Sequence, residues 1–429
     1  MRNTIRVLIV LAAIMTAMSL SACHKQNEHG INNYTIVCSD NGVVEYQNYG
    51  AGTTGQTVYE LGSNGKTVAA YVALRMVDDG ILTLDEKVYP YLDESLRLDD
   101  PRLQEITLKE LLCHTAGFSP SYELGIDKKI YSDPGTEFRY SGVGYIYLQN
   151  VIENAGAMTM DQAAAKYVFE PMGMKNSTFE SAKTITPYMN LNNAILYSML
   201  IFLASFILLL VIVSIIGKVT KHKLYSFKTG FAGSYVAAGI INAVFLLFFF
   251  VSKVFILFLI VFAFAGMILI LTHKNKKLFY IIAPVILMLA LILGFTLPVS
   301  VPVTNDLIAK EANCAYSFKS TPEDMALFCN GLMESYNKPD DICRMMFEPA
   351  VVIDDENMWG LGIAIESDGE GKTTYWHSGI NPGFQSLYVL YPEENKYIVV
   401  LTNSDNGLNF ATETARIFLG FEGQWQIKR

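Results

Sequence analysis

The sequence predicts an α+β protein interrupted by about four transmembrane helices. Three observations carry that reading. Strand-length runs joined by short turns fill residues 359–401, helical spacing of apolar residues follows Ser63, and four long apolar stretches succeed one another within residues 191–300. At 429 residues the chain has room for two or more domains. It is 51% hydrophobic and 17% charged, too apolar for one ordinary globular domain, and the excess is concentrated in those stretches. A net charge of −9, with no basic stripe outside them, argues against nucleic acid as a partner. The six cysteines form no C-x-x-C and the six histidines show no metal-ligand spacing, so no metal and no cofactor is expected.

Residues 1–23 read as a secretory signal, with Arg2 and Arg6 ahead of an apolar run at 7–20. That run ends Leu20-Ser21-Ala22-Cys23, which resembles the lipobox of bacterial lipoproteins, and the resemblance implies lipidation of Cys23. The alternative is an uncleaved anchor; both readings put Ser63 outside the cytoplasmic membrane. Strands are expected at 34–38 and 43–46 around Asn41-Gly42, a strong hairpin signal.

A helix is expected after Ser63, because Val68, Val72 and Met76, flanked by Ala69, Ala73 and Val77, share helical spacing, and Gly80 is a natural stop. Its start reads Ser63-Asn64-Gly65-Lys66. Three residues is almost one helical turn, so the Lys66 amine can lie beside the Ser63 hydroxyl. A serine hydroxyl is a poor nucleophile until a base takes its proton, and an amine kept neutral by burial or nearby cations is such a base. The helix start adds free N–H groups that favour a developing oxyanion. Taken alone, the motif is equally an exposed helix start with a capping serine.

Thr107 and Glu110 form a capping-box pattern leading into His114, read here as structural. A turn at Pro134-Gly135 precedes Tyr140-Ser141-Gly142 and a helix to Gly156, and Thr159 with Gln162 marks another helix start. The four apolar stretches span 194–216, 231–252, 254–272 and 278–297. About 20 helical residues cover a ~30 Å hydrocarbon core, so each stretch is long enough to cross. Lys218, Lys221, Lys223 and Lys228 lie between the first two, and Lys274, Lys276 and Lys277 between the last two, whereas the outer flanks carry no Lys or Arg. The positive-inside rule makes both basic loops cytoplasmic, so the block begins and ends outside. Lys253, in a tight outer turn, is the exception.

Past the block, Thr321-Pro322 opens a helix. Strands are expected at 359–365, 373–376, 385–391 and 396–401, with a closing helix at 409–419. Trp376-His377-Ser378-Gly379 falls at the end of a predicted strand, where the plain reading is a turn with an incidental histidine. Four segments follow: a lipoprotein-type signal at 1–23, a first catalytic part at 24–190, the transmembrane insert at 191–300 and a second catalytic part at 301–429.

Ser63-x-x-Lys66, Tyr140-Ser141-Gly142 and His377-Ser378-Gly379, in that order, resemble the serine β-lactamase and penicillin-binding-protein superfamily, in its class C-like branch of D-aminopeptidases, DD-carboxypeptidases and esterases. LLCHTAG at 111–117, PGTEFRYSG at 134–142, FEPMGMKNSTF at 169–179, STPEDMALF at 320–328 and WHSGINPGFQS at 376–386 support the match. The resemblance implies a β-lactamase/DD-peptidase-like antiparallel sheet flanked by helices, with a mostly helical subdomain. It implies Ser63 as the acylated nucleophile, Lys66 as its proton acceptor, and Tyr140 in the proton relay, with the identity of the base left open. The oxyanion would rest on the backbone N–H groups of Ser63 and Ile380, and His377, Ser378 and Gly379 would line the opposite wall.

Two positions depart from the family pattern. Gly142 stands where many relatives carry asparagine, which lowers the expectation of β-lactam turnover. His377 stands where classical penicillin targets carry lysine, and a mostly neutral histidine is a weaker anchor for a carboxylate. The expected activity is therefore an extracytoplasmic serine hydrolase, bound to the bacterial cell membrane, acting on a peptide, ester or β-lactam-like substrate. The alternative is a non-turnover penicillin-binding or ligand-sensing protein that signals through its helices. Membrane lipid is an expected partner; no protein partner and no disulfide pairing follows from the residues.

Overall fold

A computed structural model describes residues 31, 33–119, 129–190, 300–302, 312–369 and 371–427. The chain divides into two compact units, residues 1–188 with 305–429, and residues 189–304.

The first unit opens with a hairpin of β1 (Tyr34–Asp40) and β2 (Val43–Tyr49). Asn41 and Gly42 both have positive φ, at 52° and 81°, the geometry of the two-residue turn that matches strand twist. After β3 (Tyr59–Gly62), helix α1 (Gly65–Asp78) buries Val68, Ala69, Val72, Ala73 and Met76, with Val77 half-buried beside them. Helix α2 (Leu108–Leu112) carries the predicted Thr107–Glu110 capping box. Helix α3 (Gly142–Gly156) is capped by Ser141, and α4 (Met160–Ala164) by a second capping box, Thr159 with Gln162; the short α5 (Glu170–Met172) follows.

Strands β4 (Tyr188–Asn190) and β5 (Ser300–Pro302) pair with each other, one on each side of the apolar stretches. Those stretches lie outside the described residues, and no described helix is long and apolar enough to cross a membrane.

Past them come β6 (Phe318–Ser320), α6 (Pro322–Asn337, opened by Thr321 as N-cap), β7 (Val351–Val352), β8 (Asn357–Trp359), β9 (Ala364–Ser367), β10 (Thr373–Asn381), β11 (Phe384–Tyr391), β12 (Lys396–Thr402) and α7 (Gly407–Leu419). Eight strands form one antiparallel sheet in the order β2-β1-β12-β11-β10-β9-β8-β7, so the first hairpin joins the sheet beside the last strand. Successive side chains of a strand face opposite ways. On β11 the Gln385 carboxamide oxygen accepts from Leu408 N–H of α7 at 2.7 Å, and the Tyr388 hydroxyl donates to Thr67 of α1 at 2.7 Å. The sheet is thus covered by helices on both faces, which is why β11 and β12 are almost wholly buried.

Two expectations are corrected. The predicted strand at 359–365 is two strands, β8 and β9, reversed between Gly360 and Ile363, where Gly362 has φ +85°. A run of apolar residues does not reveal a turn whose own residues are buried. Second, His377–Gly379 does not end a strand: β10 runs on to Asn381, paired with β11 from Tyr375↔Leu390 to Asn381↔Phe384. The five described cysteines, Cys38, Cys113, Cys314, Cys329 and Cys343, are all free thiols.

A small second sheet pairs β3 with β6, joining a strand before the apolar stretches to one after them. It lies against β10 so closely that a methyl group at Gly379 would overlap the Leu61 carbonyl oxygen. Gly379→Ala should therefore push β10 away from β3, lowering the thermal unfolding midpoint by several degrees and abolishing labelling of Ser63 by a serine-reactive probe. A stable, fully reactive variant would show that the two strands can separate without cost.

Candidate active site

Gly62 ends β3 with φ +53°, and this left-handed turn delivers Ser63 to the start of α1. The α1 N-cap is Asn64, whose amide donates to Ser386 Oγ of β11 at 2.8 Å rather than closing the helix end. Lys66, one turn further on, is 2% exposed. Its Nζ lies 2.8 Å from Ser63 Oγ and donates to the Ala315 carbonyl oxygen at 2.5 Å. Burial pushes the Lys66 amine down to about 7, partly opposed by the neighbouring Cys314. A neutral lysine keeps one lone pair, and with Ala315 taking an N–H the nearest proton for that lone pair is the Ser63 hydroxyl.

Tyr140 packs over the same amine, with its ring centre 5.2 Å from Lys66 Nζ, and the ring of Tyr145 from α3 lies 5.7 Å from it. Ser141 holds the chain in place at the start of α3, where its hydroxyl accepts from Gly144 N–H at 2.9 Å and donates to the Ser119 carbonyl at 2.6 Å. Gly142 is the buried first residue of α3. His114, expected from the sequence to be structural, is in the site. Its ring centre is 4.5 Å from that of Tyr140 and 4.9 Å from that of Trp359.

His377 faces this group from β10, with ring centres 6.1 Å from Tyr140 and 5.6 Å from Trp359. It is fully buried, and burial, with the charge of Lys66 second, holds it down at about 3. The ring is therefore neutral near pH 7. Its Nδ1 lies 2.8 Å from the Ser378 carbonyl, so Nδ1 carries the proton and Nε2 is an acceptor. Ser378 and Gly379 continue the strand, and Ile380 is 57% exposed. A methyl added at Gly62 would lie 3.1 Å from Ile380 N, which sets that amide against the residue preceding Ser63.

The geometry brings Ser63, Lys66, Tyr140 and His377 together and sets Gly379 and Ile380 against the end of β3; Gly142 and Ser378 adjoin Tyr140 and His377 along the chain, and Cys23 lies outside the described residues. Sequence reasoning missed Ala315 and Asn381, whose amide donates to the Tyr316 carbonyl at 2.9 Å. A backbone acceptor has no residue-type signature, so Ala315 was invisible. His114 had a signal, its place in the LLCHTAG stretch.

A sequence profile of the Beta-lactamase family matches residues 21–189 and 299–420, over half of the chain, and the match breaks where the apolar stretches lie. This chain belongs to the Beta-lactamase family. Among similar proteins, Protein flp of Staphylococcus aureus is 26% identical over 160 residues, 33% of this chain and 31% of that protein. A putative D-alanyl-D-alanine carboxypeptidase of Salmonella agona is 26% identical over 159 residues, 31% of this chain and 37% of that one. The chain thus spans about a third of the length of the curated relatives it matches. The fold is similar to that of a penicillin-binding protein from Bacillus halodurans, with TM-score 0.58 and 15% identity, covering 92% of this chain and 98% of that one.

Because the neutral form of Lys66 is the one able to take a proton, reaction of Ser63 with a fluorophosphonate should rise with pH through a midpoint near 7. Lys66→Met should remove that inflection together with most of the rate. A flat profile between pH 5 and 9 in the unmodified protein would show that Lys66 is not the acceptor.

Proposed function

We propose that this protein is an extracytoplasmic, membrane-bound serine hydrolase that cleaves an amide or ester through an acyl-enzyme on Ser63. The observation that carries the reading is the buried Lys66 amine 2.8 Å from Ser63 Oγ, lowered to about 7. Neutral Lys66 takes the hydroxyl proton as Oγ attacks the substrate carbonyl. The N–H groups of Ser63 and Ile380 receive the oxyanion. As the tetrahedral intermediate collapses, the leaving nitrogen or oxygen takes the proton back from Lys66, with Tyr140 alongside as the relay. Water, deprotonated by the same pair, then hydrolyses the ester and frees Ser63.

The wall opposite Ser63 bears on the substrate. Neutral His377 offers no cation to a terminal carboxylate. The resemblance to a putative D-alanyl-D-alanine carboxypeptidase supports cleavage beside D-amino acids, and His377 favours amides and esters over peptides that end in a free carboxylate. Membrane attachment is supported by the four apolar stretches, the lysines of their intervening loops and the lipobox-like end of residues 1–23.

The test is intact mass after treating the detergent-solubilised full chain with a fluorophosphonate. One adduct on the unmodified protein and none on Ser63→Ala is expected, with turnover of D-alanine p-nitroanilide exceeding that of D-alanyl-D-alanine. Labelling that survives Ser63→Ala would overturn the mechanism, and an acyl adduct that forms without turnover would favour a ligand-sensing role. For topology, alkaline phosphatase fused after Lys223 should be inactive and after Thr304 active; the reverse pattern would overturn the orientation drawn from the loop lysines.

A further inference from the structure

Tyr140 belongs to no helix or strand; it lies in the two residues before the Ser141 cap of α3. A phenol that must stay over a lysine amine needs its backbone fixed on both sides, and one residue supplies both fixings. The His114 carbonyl oxygen accepts from Arg139 N–H at 2.8 Å, and its imidazole Nδ1 accepts from Ser141 N–H at 3.1 Å. These are the residues immediately before and after Tyr140. The imidazole face then packs on the Tyr140 ring itself, at 4.5 Å between centres and an interplanar angle of 41°.

The local backbone is bent to allow this. His114 has φ +59°, a left-handed conformation uncommon for residues with a side chain, and it directs carbonyl and imidazole to the same short segment. The site is also enclosed. His114 is 2% exposed, enclosed by Phe138, Tyr140, Tyr145 and Trp359 at 4.5 to 6.0 Å between ring centres. A ring that accepts at Nδ1 must carry its proton on Nε2 while neutral. A second proton would fall on Nδ1 and expel the Ser141 N–H. Burial and the neighbouring Lys66 and His377 keep that proton off, holding the His114 pKa well below the usual histidine range.

We infer that His114 is the positioning residue for Tyr140, clamping Arg139 N–H and Ser141 N–H on either side of it so that the phenol is held over Lys66. This deepens the serine-hydrolase reading and rests on it. Among the described residues the His114 ring packs on Phe138, Tyr140, Tyr145 and Trp359, so its influence on Ser63 passes through Tyr140.

A double-mutant cycle on the full chain in detergent tests this, with the rate of fluorophosphonate addition to Ser63 as readout. His114→Gln moves the amide beyond reach of Ser141 N–H. It should slow labelling at least ~30-fold, within the ~100-fold that a misplacement of an ångström costs. His114→Asn puts an acceptor oxygen close to the Nδ1 position in a residue that tolerates positive φ, and should recover the rate to within about five-fold of the unmodified protein. In a Tyr140→Phe background, His114→Gln should change the rate less than about two-fold, because the group it positions is gone. Equal slowing with and without the Tyr140 hydroxyl would overturn the inference, as would a His114→Asn variant that folds with an unchanged thermal midpoint yet is as slow as His114→Gln. Failure of the underlying reading looks different: Ser63→Ala would still label, or the unmodified protein would not label at all, and the inference falls with it.

Discussion

The structure turns on one buried contact, the Lys66 amine held between Ser63 Oγ and the Ala315 carbonyl oxygen. An ammonium group taken out of water without a counter-charge is costly, and the cheaper state is the neutral amine. Among the described residues around it, Tyr140, Tyr145 and Cys314 bring no carboxylate, and two histidines are themselves held neutral by burial. With no carboxylate among the described residues acting on it, burial holds the Lys66 amine down at about 7, where its neutral form is populated.

That contact also joins two parts of the chain that are far apart in sequence. Ser63 and Lys66 precede the apolar stretches; Ala315 follows them, 249 residues after Lys66. The same junction is made by β3 with β6, and by the Asn64 amide donating to Ser386 Oγ. Loop-closure entropy grows slowly, about 0.6 kcal/mol for each doubling of loop length, so an insertion of this size is tolerable thermodynamically. The pairing of Tyr188–Asn190 with Ser300–Pro302 brings the two ends of the inserted region together and shortens the loop that the catalytic unit must close. Without the returning segment Lys66 would lose an acceptor, β3 would lose its partner strand, and Ser63 would be left on a helix with one wall missing.

The wall made by β10 presents a neutral group to the site. A lysine there would put a second cation beside Lys66 and offer a charge to a substrate carboxylate. His377 offers a neutral ring with one proton committed to its own main chain. The backbone still presents Gly379 and Ile380 against β3, and that placement does not depend on the charge at His377.

Much of this was legible in the residues. The Asn41-Gly42 hairpin, both capping boxes, the apolar face of α1, the proline-started α6 and the three Ser63, Tyr140 and His377 motifs are local patterns, because caps, turns and helical spacing act over three or four residues. The split of β8 from β9 was not legible, since a buried turn keeps the apolar composition of its strands. Nor was the extension of β10, which depends on pairing with β11. The order of residues dictates which groups exist to do chemistry and on which local elements they ride. Their chemical state is set only in the folded chain: Lys66 is lowered because it is buried, Ala315 is an acceptor because the segment before β6 returns to it, and His114 reaches Tyr140 because a left-handed turn aims it. Burial and long-range contact arise when remote segments pack together, and no window of neighbouring residues contains them.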